Sequence, residues 1–144
     1  MTNSNSKSPL ETTTTDTADV EVVRAFLAAL VAGDPAAAKQ YLDRDIVWHN
    51  VSLPKIRGIG PIMRILQGMA RPGFGFDVRL HHIAGDGKAV LTERTDVLIY
   101  KRVRAEFWVC GTFEMKDGKI AVWRDYFSNR DVLWGIIKGL VRAL

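Results

Sequence analysis

The apolar positions of this chain change period once. In the first half they recur every three or four residues, the spacing of one helix face; in the second half they alternate, the spacing of one strand face. Val20, Val23, Phe26, Leu27 and Leu30 predict a first helix, which Gly33 ends. Asp34-Pro35 starts another, with Asp34 as N-cap and Pro35 at the first helical position, and AAAKQYL is expected to carry it to Leu42. IVWHNV, residues 46–51, reads as a short strand. A stretch punctuated by Pro and Gly follows, then a third helix over 61–70 with Ile62, Ile65, Leu66 and Met69 on one face.

Four extended runs come next, about 74–84, 88–100, 103–115 and 120–127. They join at Asp86-Gly87, Lys101-Arg102 and Asp117-Gly118, and Asp-Gly pairs between alternating runs signal hairpins. An antiparallel meander is expected, closed by an amphipathic helix over about 131–144. The layout is α+β: a curved sheet wrapped around N-terminal helices, leaving a cone-shaped cavity suited to a ligand. Residues 1–16 are rich in Ser, Thr and Asn and bury too little apolar surface to offset ordering entropy, so a disordered tail is expected before a single domain at 17–144.

Two of the most apolar runs carry charges. Along LTERTDVL, residues 91–98, and the Val90 before it, alternation places Val90, Thr92, Arg94, Asp96 and Leu98 on one face. Along VWRDYF, residues 122–127, and the Ala121 before it, it places Ala121, Trp123, Asp125 and Phe127 together. If both faces line the cavity, Arg94, Asp96 and Asp125 converge, while Glu93 and Arg124 point outward, where they could pair. The ordinary alternative is a buried ion pair that only sets register. The count of charges argues for more. One Arg against two carboxylates leaves surplus negative charge, which pushes one Asp toward its neutral form. An acid facing a base is the outcome. Trp48 and Asn50 share one face of the short strand and add polar groups; His49 takes the other face. Leu98, Phe107, Val109 and Phe127 are expected to line the pocket, which favours a lipophilic substrate.

Composition excludes more than it suggests. No apolar run reaches the roughly 20 residues of a membrane span, and the N-terminus lacks the pattern of a secretory signal. The net charge of +4 comes from dispersed Lys and Arg with no nucleic-acid motif, so it reads as a basic surface. Cys110 is the only cysteine, which fits a reducing cytoplasm and a structural thiol. His81 and His82 are adjacent in a strand, face opposite ways and cannot chelate one metal. GIG at 58–60 is too short for a nucleotide loop. The final helix is amphipathic and basic enough to lie on a membrane, but Leu133, Trp134, Ile136, Ile137, Leu140 and Val141 are better read as covering the cavity mouth or a dimer seam.

TERTDVL, FWVCGTFEMKDGKI, WRDYF and WHNVSLP together resemble the limonene-1,2-epoxide hydrolase family, close to its mycobacterial-type members, from about residue 20 to the C-terminus. The resemblance implies the nuclear-transport-factor-2-like, SnoaL-like cone, a fold that hosts many functions. It also implies epoxide hydrolysis to a diol in one step, without cofactor, metal or covalent intermediate, by a homodimer. Carried over, Asp125 is the base that deprotonates water, Asp96 the acid that protonates the epoxide oxygen, Arg94 the bridge, and Asn50 a water ligand. Trp48 stands where the family usually has a Tyr that also holds the water, and an indole only donates. The competing readings are a non-hydrolytic binding, isomerase-like or cyclase-like domain of the same fold, and a purely structural domain.

Overall fold

The computed structural model describes residues 17–144. The expected disordered tail, residues 1–16, lies outside the described residues. Helices α1 (Thr17–Val31) and α2 (Pro35–Lys39) are followed by β1 (Leu42–Asn50), the two-residue β2 (Ile56–Arg57) and α3 (Ile59–Met69). Four long strands then run in sequence: β3 (Phe74–Gly85), β4 (Ala89–Tyr100), β5 (Val103–Lys116) and β6 (Lys119–Tyr126). Helix α4 (Asn129–Ala143) ends the chain. The six strands form one mixed, unclosed sheet in the order β2-β1-β6-β5-β4-β3. All its pairs are antiparallel except β1 with β6.

Local chemistry explains most element ends. The Asp34 carboxylate caps α2 by accepting from the Ala37 amide at 3.0 Å, with Pro35 next to it. The Ser128 hydroxyl accepts from the Asp131 amide and starts α4. At the β5–β6 turn Asp117 and Gly118 both have positive φ, 51° and 75°, the conformation whose twist suits a tight hairpin. One boundary was not local. Helix α2 stops at Lys39, and Leu42 opens β1 instead of ending a helix. The Ile120 amide donates to the Tyr41 carbonyl, so β6 captures this segment as a parallel neighbour.

The core lies between the helices and the concave face of the sheet. Val20, Val23, Phe26 and Leu27 of α1 and Ile62, Met63 and Leu66 of α3 pack with Val90, Phe113, Ile120 and Trp123. The Phe26 ring is fully buried and meets Trp123 edge-on, with centroids 5.0 Å apart. Burying one such ring contributes about 1.5–3 kcal/mol.

Strand β6 pairs with β5 only from Cys110 onward, so the first half of β5 has an open edge. Helix α4 covers it. A side-chain carbon at Gly135 would sit 2.5 Å from the Glu106 carbonyl oxygen, and one at Gly139 would strike the Arg104 carbonyl. Two glycines one turn apart let the helix touch backbone that a strand would otherwise pair. Helix α4 supplies no residue to the lining of the cavity described below, but its Ile136 and Leu140 line the adjoining groove. Leu133, Trp134, Leu140 and Val141 of this helix remain largely exposed.

Candidate active site

Register brings the charged residues together. Across three strands, Thr92 on β4, Gly111 on β5 and Asp125 on β6 are neighbours, and Asn50 on β1 lies beside Asp125. Arg94 and Asp96 follow Thr92 on the same concave face of β4. Arg94 therefore reaches diagonally across Gly111 to Asp125. Its Nε donates to Asp96 Oδ1 at 2.7 Å and its Nη2 to Asp96 Oδ2 at 3.1 Å, a bidentate pair. The same Nη2 lies 2.8 Å from Asp125 Oδ2. Nη1 donates to the Thr92 hydroxyl at 3.1 Å. Arg94 is 0% exposed and both carboxylates are 5% exposed.

Burial pushes the pKa of Asp96 and of Asp125 upward, because a low-dielectric site disfavours the anion. The Arg94 guanidinium opposes this at both, and the charge of Asp125 raises Asp96 further. At Asp125 a second donor also favours the anion: the Trp123 indole Nε1 donates to Oδ2 at 2.9 Å. Burial works against the Arg94 cation, but the two carboxylates outweigh it and Arg94 stays charged.

Asp96 and Asp125 open onto a cavity of about 210 Å³, also lined by Trp48, Asn50, Phe76, Leu98, Phe107 and Phe127. Leu98, Phe107 and Phe127 thus stand where alternation predicts them. Val109 does not line the cavity; it is fully buried opposite Arg94. Alternation sets a side chain's face but not its depth in the cone. The outward charges also differ from expectation. Arg124 pairs with Glu114 at 3.0 Å and Glu93 lies 3.7 Å from His82, because β5 separates β4 from β6. Among the described residues no cluster of three or more His, Cys, Asp and Glu side chains could hold a metal.

Trp48 lies at the cavity wall with Asn50 and Asp125. Its ring stacks on Trp123 with centroids 4.3 Å apart and planes 8° from parallel. Two buried polar atoms here have no hydrogen-bond partner: the Trp48 Nε1 donor and the Asp125 Oδ1 acceptor. Orphaned buried groups carry a desolvation cost and concentrate at sites with a task.

Three contributors had no role in the sequence reading, although alternation set two of them on the right face: Thr92, Gly111 and the indole N–H of Trp123. A Gly inside a strand does signal close approach of other groups. A side-chain carbon at Gly111 would meet Arg94 Nη1, and would lie 2.8 Å from Thr92 Oγ1 and 2.9 Å from Asp125 Oδ1. Gly111→Ala is therefore expected to lower stability by about 1–3 kcal/mol, the scale of overpacking. Urea denaturation checks this, and an unchanged midpoint would show that the cluster can shift at no cost.

The limonene-1,2-epoxide hydrolase catalytic domain matches residues 17–138. The chain is 46% identical over 122 residues to epoxide hydrolase EphG of Mycobacterium tuberculosis, covering 83% of this chain and 79% of the relative. The structure matches that of an M. tuberculosis LEH-like epoxide hydrolase with a TM-score of 0.82 and 45% identity, covering 87% of this chain and 93% of the other. A putative polyketide cyclase from Pseudomonas putida matches with a TM-score of 0.69, covering 82% and 97%, but at 22% identity it shows the shared nuclear-transport-factor-2-like cone alone. With its domain matched over most of its length, the chain belongs to the limonene-1,2-epoxide hydrolase family.

Proposed function

We propose that the protein hydrolyses a lipophilic epoxide to a vicinal diol in one step. The observation that carries the reading is the Arg94–Asp96–Asp125 cluster on the wall of an apolar cavity, with Oδ1 of Asp125 buried and unpartnered. One cation between two carboxyls is neutral when a single proton is shared. Burial raises both carboxyls and the charge of Asp125 adds to the rise at Asp96, so the proton is assigned to Asp96. Asp125, whose Oδ2 accepts from both Arg94 and Trp123, stays ionised and offers Oδ1 as the base. A water oriented by Asn50 loses a proton to Asp125 as its oxygen attacks an epoxide carbon. The C–O bond breaks, and Asp96 gives its proton to the departing oxygen. Arg94 bridges the pair throughout and carries no proton away. Acid and base acting in the same step contribute on the order of 10²–10⁴-fold each.

The substrate class follows from the walls. Beyond Leu98 the concave face continues through Tyr100, Val103 and Ala105 into a groove of about 470 Å³ under Ile136 and Leu140. The cluster's charges are committed to chemistry, so the rest of a substrate meets only apolar surface. Lone Cys110 suits a reducing cytoplasm, and the exposed apolar side of α4 suits a homodimer seam. Incubation with a panel of epoxides in oxygen-18 water tests the reading. Labelled diol from terpene, styrene or cyclohexene oxides is expected. Faster turnover of a small anionic epoxide would overturn the lipophilic assignment, and no diol from any member would overturn hydrolysis.

Trp48 bears on the rate. Its N–H can donate to the attacking water, leaving the water's protons for Asp125 and Asn50. Trp48→Tyr replaces a donor with a donor–acceptor and is expected to raise turnover, by no more than about tenfold for one neutral hydrogen bond. Steady-state turnover of both forms checks it. An inactive wild type beside a strongly active variant would show that the indole fills the water site, and the protein would then be a binding domain.

A further inference from the structure

The proposed mechanism needs Asp125 to present one oxygen in one orientation, and a carboxylate on two single bonds does not hold an orientation unaided. Arg94 does not suffice, since its Nη2 also serves Asp96. Trp123 stands two residues before Asp125 on the same face of β6, and its Nε1 reaches Oδ2 at 2.9 Å. The indole itself cannot swing. Trp48 lies flat against it at 4.3 Å, Phe26 meets it edge-on at 5.0 Å, and Phe113 lies nearly parallel at 6.4 Å. Register explains the stack, because Trp48 is the direct neighbour of Trp123 across the parallel β1–β6 pair, just as Asn50 is of Asp125.

We propose that Trp123 is a positioning residue for the base: its N–H, held in place by the Trp48 stack, fixes Oδ2 of Asp125 so that Oδ1 alone is left to take the proton. This rests on the assignment of Asp125 as base. It gives Trp48 a second task, as the flat support of Trp123.

The hydrogen bond favours the carboxylate over the acid, so its loss moves the ionisation of Asp125 to higher pH. The charged groups that bear on Asp125 are Arg94 and Asp96, both on β4. Strand β5 presents Gly111, β1 presents Trp48 and Asn50, α1 presents Leu30 and α3 presents Met69, none of which titrates. A shift confined to the acid limb therefore reports the lost donor.

The test compares wild type with Trp123→Phe, which keeps an aromatic ring and deletes the N–H. A second variant, Trp123→3-benzothienylalanine, keeps the bicyclic shape with sulfur in place of N–H and covers the case in which the Phe variant fails to fold. The acid limb of kcat/KM is expected to move up by about one pH unit or more, the scale of a hydrogen bond to a charged group. The alkaline limb, set by Asp96, is expected to stay, and kcat to fall more than KM changes. Carboxyl carbon-13 NMR titration of Asp125 provides a readout that needs no turnover. If wild type hydrolyses no epoxide, the proposed function fails, while the titration still decides whether Trp123 governs Asp125. An unmoved Asp125 titration in a folded variant overturns the inference.

Discussion

Asp125→Asn and Asp96→Asn are each expected to lose at least about 100-fold in turnover, the lower end of what a positioned base or acid supplies. The amide at 125 keeps the shape of the carboxyl and can still accept from Trp123 and Arg94, but it cannot take a proton from water. The amide at 96 can still donate a hydrogen bond toward the epoxide oxygen, but it cannot release a proton to it. Neither change should unfold the protein. Each removes one carboxylate from a cluster with one cation and two carboxyls, leaving one charge of each sign in a site where both carboxyls are nearly fully buried. Rate lost with the denaturation midpoint retained therefore isolates the chemistry. Single-turnover kinetics on the best epoxide of the panel makes the measurement. Turnover near that of wild type in either variant would refute the role assigned to that residue.

Arg94→Met is expected to do the opposite, striking the fold first. Met has similar length and no charge, so it leaves two buried carboxyls with no cation between them. Breaking a buried pair by removing one partner costs about 3–5 kcal/mol, far more than the pair itself contributes. The loss should depend on pH, and its sign follows from the direction of the shifts. Both carboxyls have folded pKa values raised by burial, above the unfolded value of about 4. A raised carboxyl contributes stability that is fully present below the unfolded value and is lost as pH rises through the folded one. Arg94 limits that loss by pulling both folded values back down. Without it the folded values climb further, and the loss extends to higher pH. The stability gap between wild type and variant should be small near pH 4 and widen toward pH 7. Urea denaturation across that range reads it. A gap that does not change with pH would mean that the cluster is held by packing and not by charge.

Much of this protein was determined by its sequence, because the interactions concerned are local. The Asp34 cap acts over three residues. The Asp117-Gly118 turn is set by backbone preference at two positions. Alternation with period two assigned Arg94, Asp96, Leu98 and Asp125 to the concave face of their strands, since successive side chains cannot do otherwise. The charge imbalance of one Arg and two Asp in apolar runs was likewise visible in the residues alone. Tertiary structure decided whatever depends on how distant strands lie side by side. It turned the segment after Lys39 into a strand, because β6 offered the Tyr41 carbonyl a partner almost eighty residues away in the chain. It buried Val109, since depth in the cone depends on what packs above a side chain. It put Arg124 beside Glu114, not Glu93, through the insertion of β5 between β4 and β6. It placed the bare Cα of Gly111 where Arg94 must pass, and set Trp48 flat against Trp123. Pattern within a strand tells which way a side chain points; only register between strands tells what it meets there.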